Sequence, residues 1–400
     1  MRRFTPQGGL GRGFWLVFAA STLTGIANSA SAPVLSRYAG DVLDATPAVA
    51  GFIVSISALV GIVVQPLAGI GADRFGPRAI SWLGGLVGIA GLLLIVVSVD
   101  SLAVAGSRFA FGIGYAAIGT AVMAWIVASV VRAERGRALS LFGISIWVGL
   151  ALGPQLGETV FDAWGYTAVW IVCAAVQLAA VLCVLPISDR AQRVHRTSEH
   201  TTGAGGVTGL RAAFFAVARP GVVAALAWSG EGFMLAFLIV HLQKNGLAAV
   251  GLTGAASVFT IFAISVIGTR LLLGGLPDRL GPVKTARIAL LALALGMILL
   301  GYSYSFVAAA AGAVLMGAGF APLYPALMML ATERLDPRRR AAGVGVFSAF
   351  TSVGYASGAF FGGVIAGIWG EGLAFVAIAL LQLAAIPVVR HARHPAALDS

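Results

Sequence analysis

Three ionisable residues stand inside long apolar stretches of this chain: Arg108, Glu231 and Arg270. A charge within a membrane costs roughly 2.5 kcal/mol or more and usually faces a cavity, so each needs a reason to be there. Glu231 is the sharpest of the three, set in Trp228-Ser229-Gly230-Glu231-Gly232-Phe233, where packing does not require a carboxyl. Low dielectric disfavours the charged form of such a group, which equips it to bind and release a proton as its surroundings open. The alternative is a neutral, hydrogen-bonded structural glutamic acid. Arg108, followed by Gly112, Gly114 and Ala116, either lines a polar path or snorkels to the headgroups. Arg270, eight residues before Asp278, either binds an anion or pairs with loop carboxylates. Hydrolytic and redox chemistry have no footing here. The chain has no phosphate-binding glycine-lysine loop, no histidine pair at metal spacing, and two cysteines, Cys173 and Cys183, that read as buried apolar residues. No enzyme activity, metal or cofactor is expected.

The elements that hold these residues follow from composition. With 59% hydrophobic and 10% charged residues, 400 residues cannot cover themselves with polar surface in water. A hydrocarbon core needs about 20 apolar residues per helical crossing. Such stretches recur from 14–36 to 372–389, and twelve of them can be counted. The first reads as an uncleaved helix, because it is too long for a signal-peptide core. Of 26 Lys and Arg residues, 22 fall in the N-terminus, the even-numbered loops, the centre or the C-terminus. By the bias of basic residues toward the cytoplasm, both termini are cytoplasmic in an inner-membrane, multi-pass protein. The basic residues decorate many short loops rather than one soluble face, which argues against nucleic acid as a partner.

A polar stretch divides the chain into a six-helix bundle at 1–189, a cytoplasmic linker at 190–217 and a second bundle at 218–400. A shift of 205 residues lays one half on the other without a gap. It pairs Gly25 with Gly230, Asp73 with Asp278, Arg74 with Arg279, Gly76 with Gly281, Gly112 with Gly317, Gly153 with Gly358 and Gly165 with Gly370. In this register Glu231 falls on Ile26. An even number of spans per half makes the repeat parallel, with a solute site expected between the halves.

Three motifs then carry a resemblance to the major facilitator superfamily over nearly the full length. Gly69-Ile-Gly-Ala-Asp73-Arg74-Phe-Gly76-Pro-Arg78 resembles the loop that follows the second helix in that family, and a degraded copy holds Asp278 and Arg279. The resemblance implies a gating latch at these residues. Arg108 with Gly112 and Gly114 is similar to a fourth-helix pattern whose arginine lies near the substrate or proton path. Gly149, Gly153, Pro154 and Gly157 are similar to the fifth-helix pattern of exporting antiporters, with Ser140 and Glu158 where glycines are expected. Small residues four apart also make a plain packing face.

The resemblance implies an all-α membrane protein of twelve helices in two pseudo-symmetric bundles, working as a monomer by alternating access. Its implied activity is proton-coupled efflux of a drug or metabolite. The alternative is an organic-anion (carboxylate) uniporter, symporter or exchanger, favoured by Arg270 and Arg108. Expected partners are a small-molecule substrate, protons and the lipid bilayer. His241 and Lys244, and Glu158 and Asp162, read as solvated helix ends, with a proton relay through the histidine as the alternative, and Trp125, Trp147, Trp228 and Phe233 as either cavity lining or packed rings.

Overall fold

The computed structural model describes residues 10–98, 100–130, 134–187, 207–333 and 340–390, without the side chains of 135, 136, 207–213 and 340–342. The helices are α1 (Arg12–Asp41), α2 (Pro47–Phe75), α3 (Pro77–Val97) and α4 (Ser101–Ser129). A double-length run, Arg135–Val184, breaks at Gly165 into α5 (135–164) and α6 (166–184). Then come α7 (Val207–Lys244), α8 (Ala255–Leu273), a single turn at Leu276–Leu280, α9 (Pro282–Gly301), α10 (Phe306–Thr332), α11 (Arg340–Trp369) and α12 (Glu371–Ala385). No strand occurs among the described residues.

Ten helices among the described residues are long and apolar enough to cross a membrane, the double-length run counting as one of them. Split at Gly165 they supply eleven crossings, and α1 is the twelfth. Ser21, Thr22, Thr24, Asn28, Ser29 and Ser31 dilute the apolar content of α1, yet most of these residues are buried among other helices. The expected linker lies outside the described residues up to 206, and from Val207 the chain is already helical. The rear bundle therefore begins some ten residues before the apolar run does.

The shift of 205 reappears in the backbone. Gly76 and Gly281 have φ of 96° and 81°, and Gly165 and Gly370 have 75° and 87°, values that L side chains avoid. Each opens the helix that follows it. Asp100 and Ser305 both cap a helix, accepting from the amides of Ala103 and Ala308. Close approaches repeat as well. Gly112 abuts Ser57 and Gly317 abuts Phe262, while Gly114 meets Gly84 and Gly88 where Gly319 meets Ala289 and Leu293.

The first helix of each half breaks the rule. Along α1 and α5, Ser21 bonds Ser145, and Gly25 faces Gly149. In the rear half Gly221 faces Phe350, and Ala225, not Gly230, faces Gly354. Thus the first helices correspond at a shift of 200 rather than 205, because the loop before α8 (245–254) is five residues longer than the loop before α2 (42–46). The Gly25–Gly230 match is a coincidence of composition, and the spatial counterpart of Glu231 is Ser31 rather than Ile26.

The fifth-helix glycines are contact points for α1. A Cβ on Gly153 would lie 2.0 Å from Ser29 Oγ and 2.8 Å from the Ile26 carbonyl oxygen. Gly153→Ala should therefore lower stability by roughly 1–3 kcal/mol. Gly119→Ala, where a Cβ meets nothing within 4 Å, should lower it by none. Thermal unfolding of the two purified variants in one detergent checks this; equal midpoints would refute the packing role.

Candidate functional site

The two halves meet along a seam where α2 packs on α11 and α5 on α8, with α1 beside α7. Gly232 brings the α7 and α11 backbones together, since a Cβ there would sit 2.0 Å from the Tyr355 carbonyl oxygen. That approach sets Glu231 beside Tyr355. Glu231 interacts electrostatically with Tyr355 and, across the seam, with Tyr115 of α4; Tyr355 also interacts with Arg108. Gly230 and Gly232 are buried, but Glu231, Tyr115 and Tyr355 each keep part of their surface open. Their open surfaces, on helices of both halves, border a cleft between the halves. Glu231 makes no hydrogen bond or ion pair among the described residues, so its carboxyl is open to that cleft.

Arg108 forms the opposite wall. It is 2% exposed and does not snorkel. Its Nη1 donates to Ser31 Oγ at 3.2 Å, its guanidinium carbon lies 5.0 Å from the centre of the Phe111 ring, and its Nε has no hydrogen-bond partner. Ser31, the counterpart of Glu231, is thus itself part of the cluster.

The end of the bundle away from the termini is shut. Arg37 on α1 donates from Nη2 to Gln243 Oε1 on α7 at 2.5 Å, while its Nη1 lies 2.9 Å from Glu158 Oε2 on α5. Gln155 donates to Ser257 Oγ at 2.5 Å, and Thr260 donates to the Ala151 carbonyl at 2.7 Å. Gly51 packs against Ala359, and Gly363 against Pro47. Glu158 and His241 are therefore not solvated helix ends. Glu158 is 0% exposed and held by Arg37, and His241 is 5% exposed with Nε2 3.2 Å from the Leu300 carbonyl oxygen. Lys244 pairs with Glu371. Arg37 was not among the sequence candidates. The available signal was double: a basic residue in an odd-numbered loop, and a glutamate at residue 158 where the fifth-helix pattern has glycine.

The model of the Major Facilitator Superfamily matches residues 17–276 and 222–399, which together span almost the whole chain. The chain belongs to the major facilitator superfamily. An uncharacterised MFS-type transporter of Escherichia coli (strain K12), YhhS, is 28% identical over 327 residues, covering 79% of this chain and 76% of YhhS. One of Burkholderia pseudomallei (strain 1106a) is 26% identical over 367 residues, covering 88% and 85%. Among solved structures, the nucleoside transporter NupG aligns with a TM-score of 0.79 at 14% identity, covering 95% of this chain and 100% of that one. A POT family transporter in complex with 5-aminolevulinic acid aligns at 0.77 and 14%, covering 96% of each. The protein is a multi-pass membrane transporter of the secondary type, not an enzyme, and these solved structures share its fold.

Within this superfamily member the remaining candidates fall into two groups. Arg270 points into the seam rather than toward Asp278. Its Nη1 is 2.8 Å from the point where a side chain on Gly143 would begin, and it interacts with Tyr324. One turn along α5, Trp147 packs on Phe262 and Phe320, and Trp228 packs on Phe320 and Tyr324. Phe233 is fully buried against Phe237 and Phe375, and Trp125 lies over Gly13, so neither reaches the cleft.

The second group is the loop after α2 and its copy in the rear half. Gly69, Asp73 and Arg74 complete α2, Gly76 turns the chain, and Arg78 lies in the first turn of α3. Asp73 and Asp278 are exposed and unpaired among the described residues, as is Arg279; Arg74 lies over Phe75. Neither carboxylate is held among the described residues, whereas contacts between the halves close the opposite end.

Proposed function

We propose that this transporter exchanges protons for an amphiphilic drug or metabolite, expelling the solute, with Glu231 as the proton-carrying group. The observation that carries this reading is the position of Glu231: a carboxyl on the rear half, open to the cleft and facing Tyr115 of the front half. Movement of the halves changes its solvent and its neighbours, and so its affinity for a proton. Alternating access then links proton release on one side to solute release on the other. Export is supported by the fifth-helix resemblance alone, because the glycines themselves serve packing. The termini are assigned to the cytoplasm by the charge bias of the loops, which a reporter fused to the C-terminus can test. The decisive assay is transport in proteoliposomes with an imposed pH gradient, screening cationic dyes against small carboxylates. Dye expulsion coupled to proton entry supports the reading; transport indifferent to the gradient overturns it.

One observation favours an anionic solute instead. Arg108 and Arg270 both reach the seam, and neither is in an ion pair among the described residues. If Arg270 holds a carboxylate through two parallel bonds, Arg270→Lys should weaken anionic substrates about tenfold more than neutral ones, because lysine cannot reproduce the fork. Competition binding against both classes measures the difference. Equal losses would assign Arg270 to structure.

A further inference from the structure

We propose that the face carrying the termini holds a site for one anionic glycerophospholipid, of the phosphatidylglycerol type, bound by Arg219 and Arg390. A cavity of about 290 Å³ opens there between α7, α10 and the segment that leaves α12. The 3₁₀ turn Ile386–Val388 ends α12 and carries Val389 and Arg390 over α7. Arg287 fixes that crossing by donating from Nη2 to the Val389 carbonyl at 3.0 Å. Arg390 bonds its own turn, Nε to the Pro387 carbonyl at 3.0 Å, leaving its terminal nitrogens for a ligand. Neither Arg219 nor Arg390 is in an ion pair among the described residues, and both are exposed.

The occupant follows from three kinds of surface in one cavity. Two guanidiniums at its mouth match a phosphate monoanion and bond it directionally. The wall behind them is apolar, formed by Val223, Leu327, Leu330 and Val388, as an acyl chain requires and a free inorganic ion does not. The third surface is a carbonyl. Pro220 has no N–H to give the carbonyl of Ala216 one turn back, and both residues line the cavity, so that oxygen is left without its helical donor beside it. It can accept from a headgroup hydroxyl, which phosphatidylglycerol has and phosphatidylcholine lacks. Basic pockets between transmembrane helices at a membrane surface suit anionic headgroups on general grounds.

The full chain, purified into nanodiscs of mixed phosphatidylglycerol and phosphatidylcholine, is stripped gradually and its retained lipid read by native mass spectrometry. The wild type should retain phosphatidylglycerol roughly tenfold above its bulk share. The Arg219→Gln, Arg390→Gln double variant should return to the bulk ratio, and Arg219→Glu alone should reverse the preference. Lys284→Gln with Arg137→Gln removes equal charge from the exposed surface outside the cavity and should change nothing. Three results would overturn the site: full preference in the double variant, equal loss in the surface control, or displacement of the lipid by inorganic phosphate alone. Thermal unfolding in pure phosphatidylcholine checks that the arginine variants remain folded.

Discussion

In proteoliposomes carrying Glu231→Gln, a pH gradient is expected to build no solute gradient at all, while exchange of labelled for unlabelled solute continues. The wild type, coupling one proton to one neutral solute, can sustain about a tenfold solute gradient for each pH unit, since a pH unit is worth about 1.4 kcal/mol per proton. Glutamine keeps the size of the side chain and removes the titration. The cleft and the movement of the halves survive, so facilitated exchange persists where driven transport does not. An intact tenfold response in Glu231→Gln would take this residue out of the mechanism. Loss of both activities would instead assign it to structure.

Arg37→Met is expected to open the end of the bundle that is shut in this structure. Arg37 does two jobs with one guanidinium: it compensates Glu158 inside the front half and ties that half to Gln243 of the rear. Removing one partner of a buried pair costs about 3–5 kcal/mol, because the other charge is left stranded. The bond to Gln243, a hydrogen bond to a charged group worth about 1.5–3 kcal/mol, is the part that distinguishes shut from open. Its loss should shift the equilibrium toward the opened form by roughly tenfold to a hundredfold. Spin labels at Val49 and Trp369, on α2 and α11 near the closed end, would report a longer distance. Arg37→Met combined with Glu158→Met should regain stability without regaining closure. An unchanged label distance in Arg37→Met would refute the tie.

The crossings were legible because uninterrupted apolar runs have few other uses, and the turns at Gly76, Gly165, Gly281 and Gly370 because the same glycine stands at the same place in both halves. Glu231, Arg108 and Arg270 were legible as charges out of place. Their surroundings were not. Which face of a helix meets the seam depends on helix rotation and loop length, and five extra loop residues before α8 move the counterpart of Glu231 from Ile26 to Ser31. Arg37 and Glu158 come from different helices, α1 and α5, and only folding brings them within 2.9 Å. Read apart, Glu158 was an imperfect motif residue and Arg37 an exception to a charge rule.

The five-residue offset of α7 has an electrical consequence. Where the rear half has Glu231, the front half has the hydroxyl of Ser31, so the duplicated architecture carries one carboxyl at this level instead of two. If Glu231 carries the proton as proposed and the cargo is neutral, each turnover moves a net elementary charge, and the carrier is electrogenic. Membrane voltage then adds about 2.3 kcal/mol per 100 mV to the drive, so current under an imposed potential should flow even at equal pH on both sides.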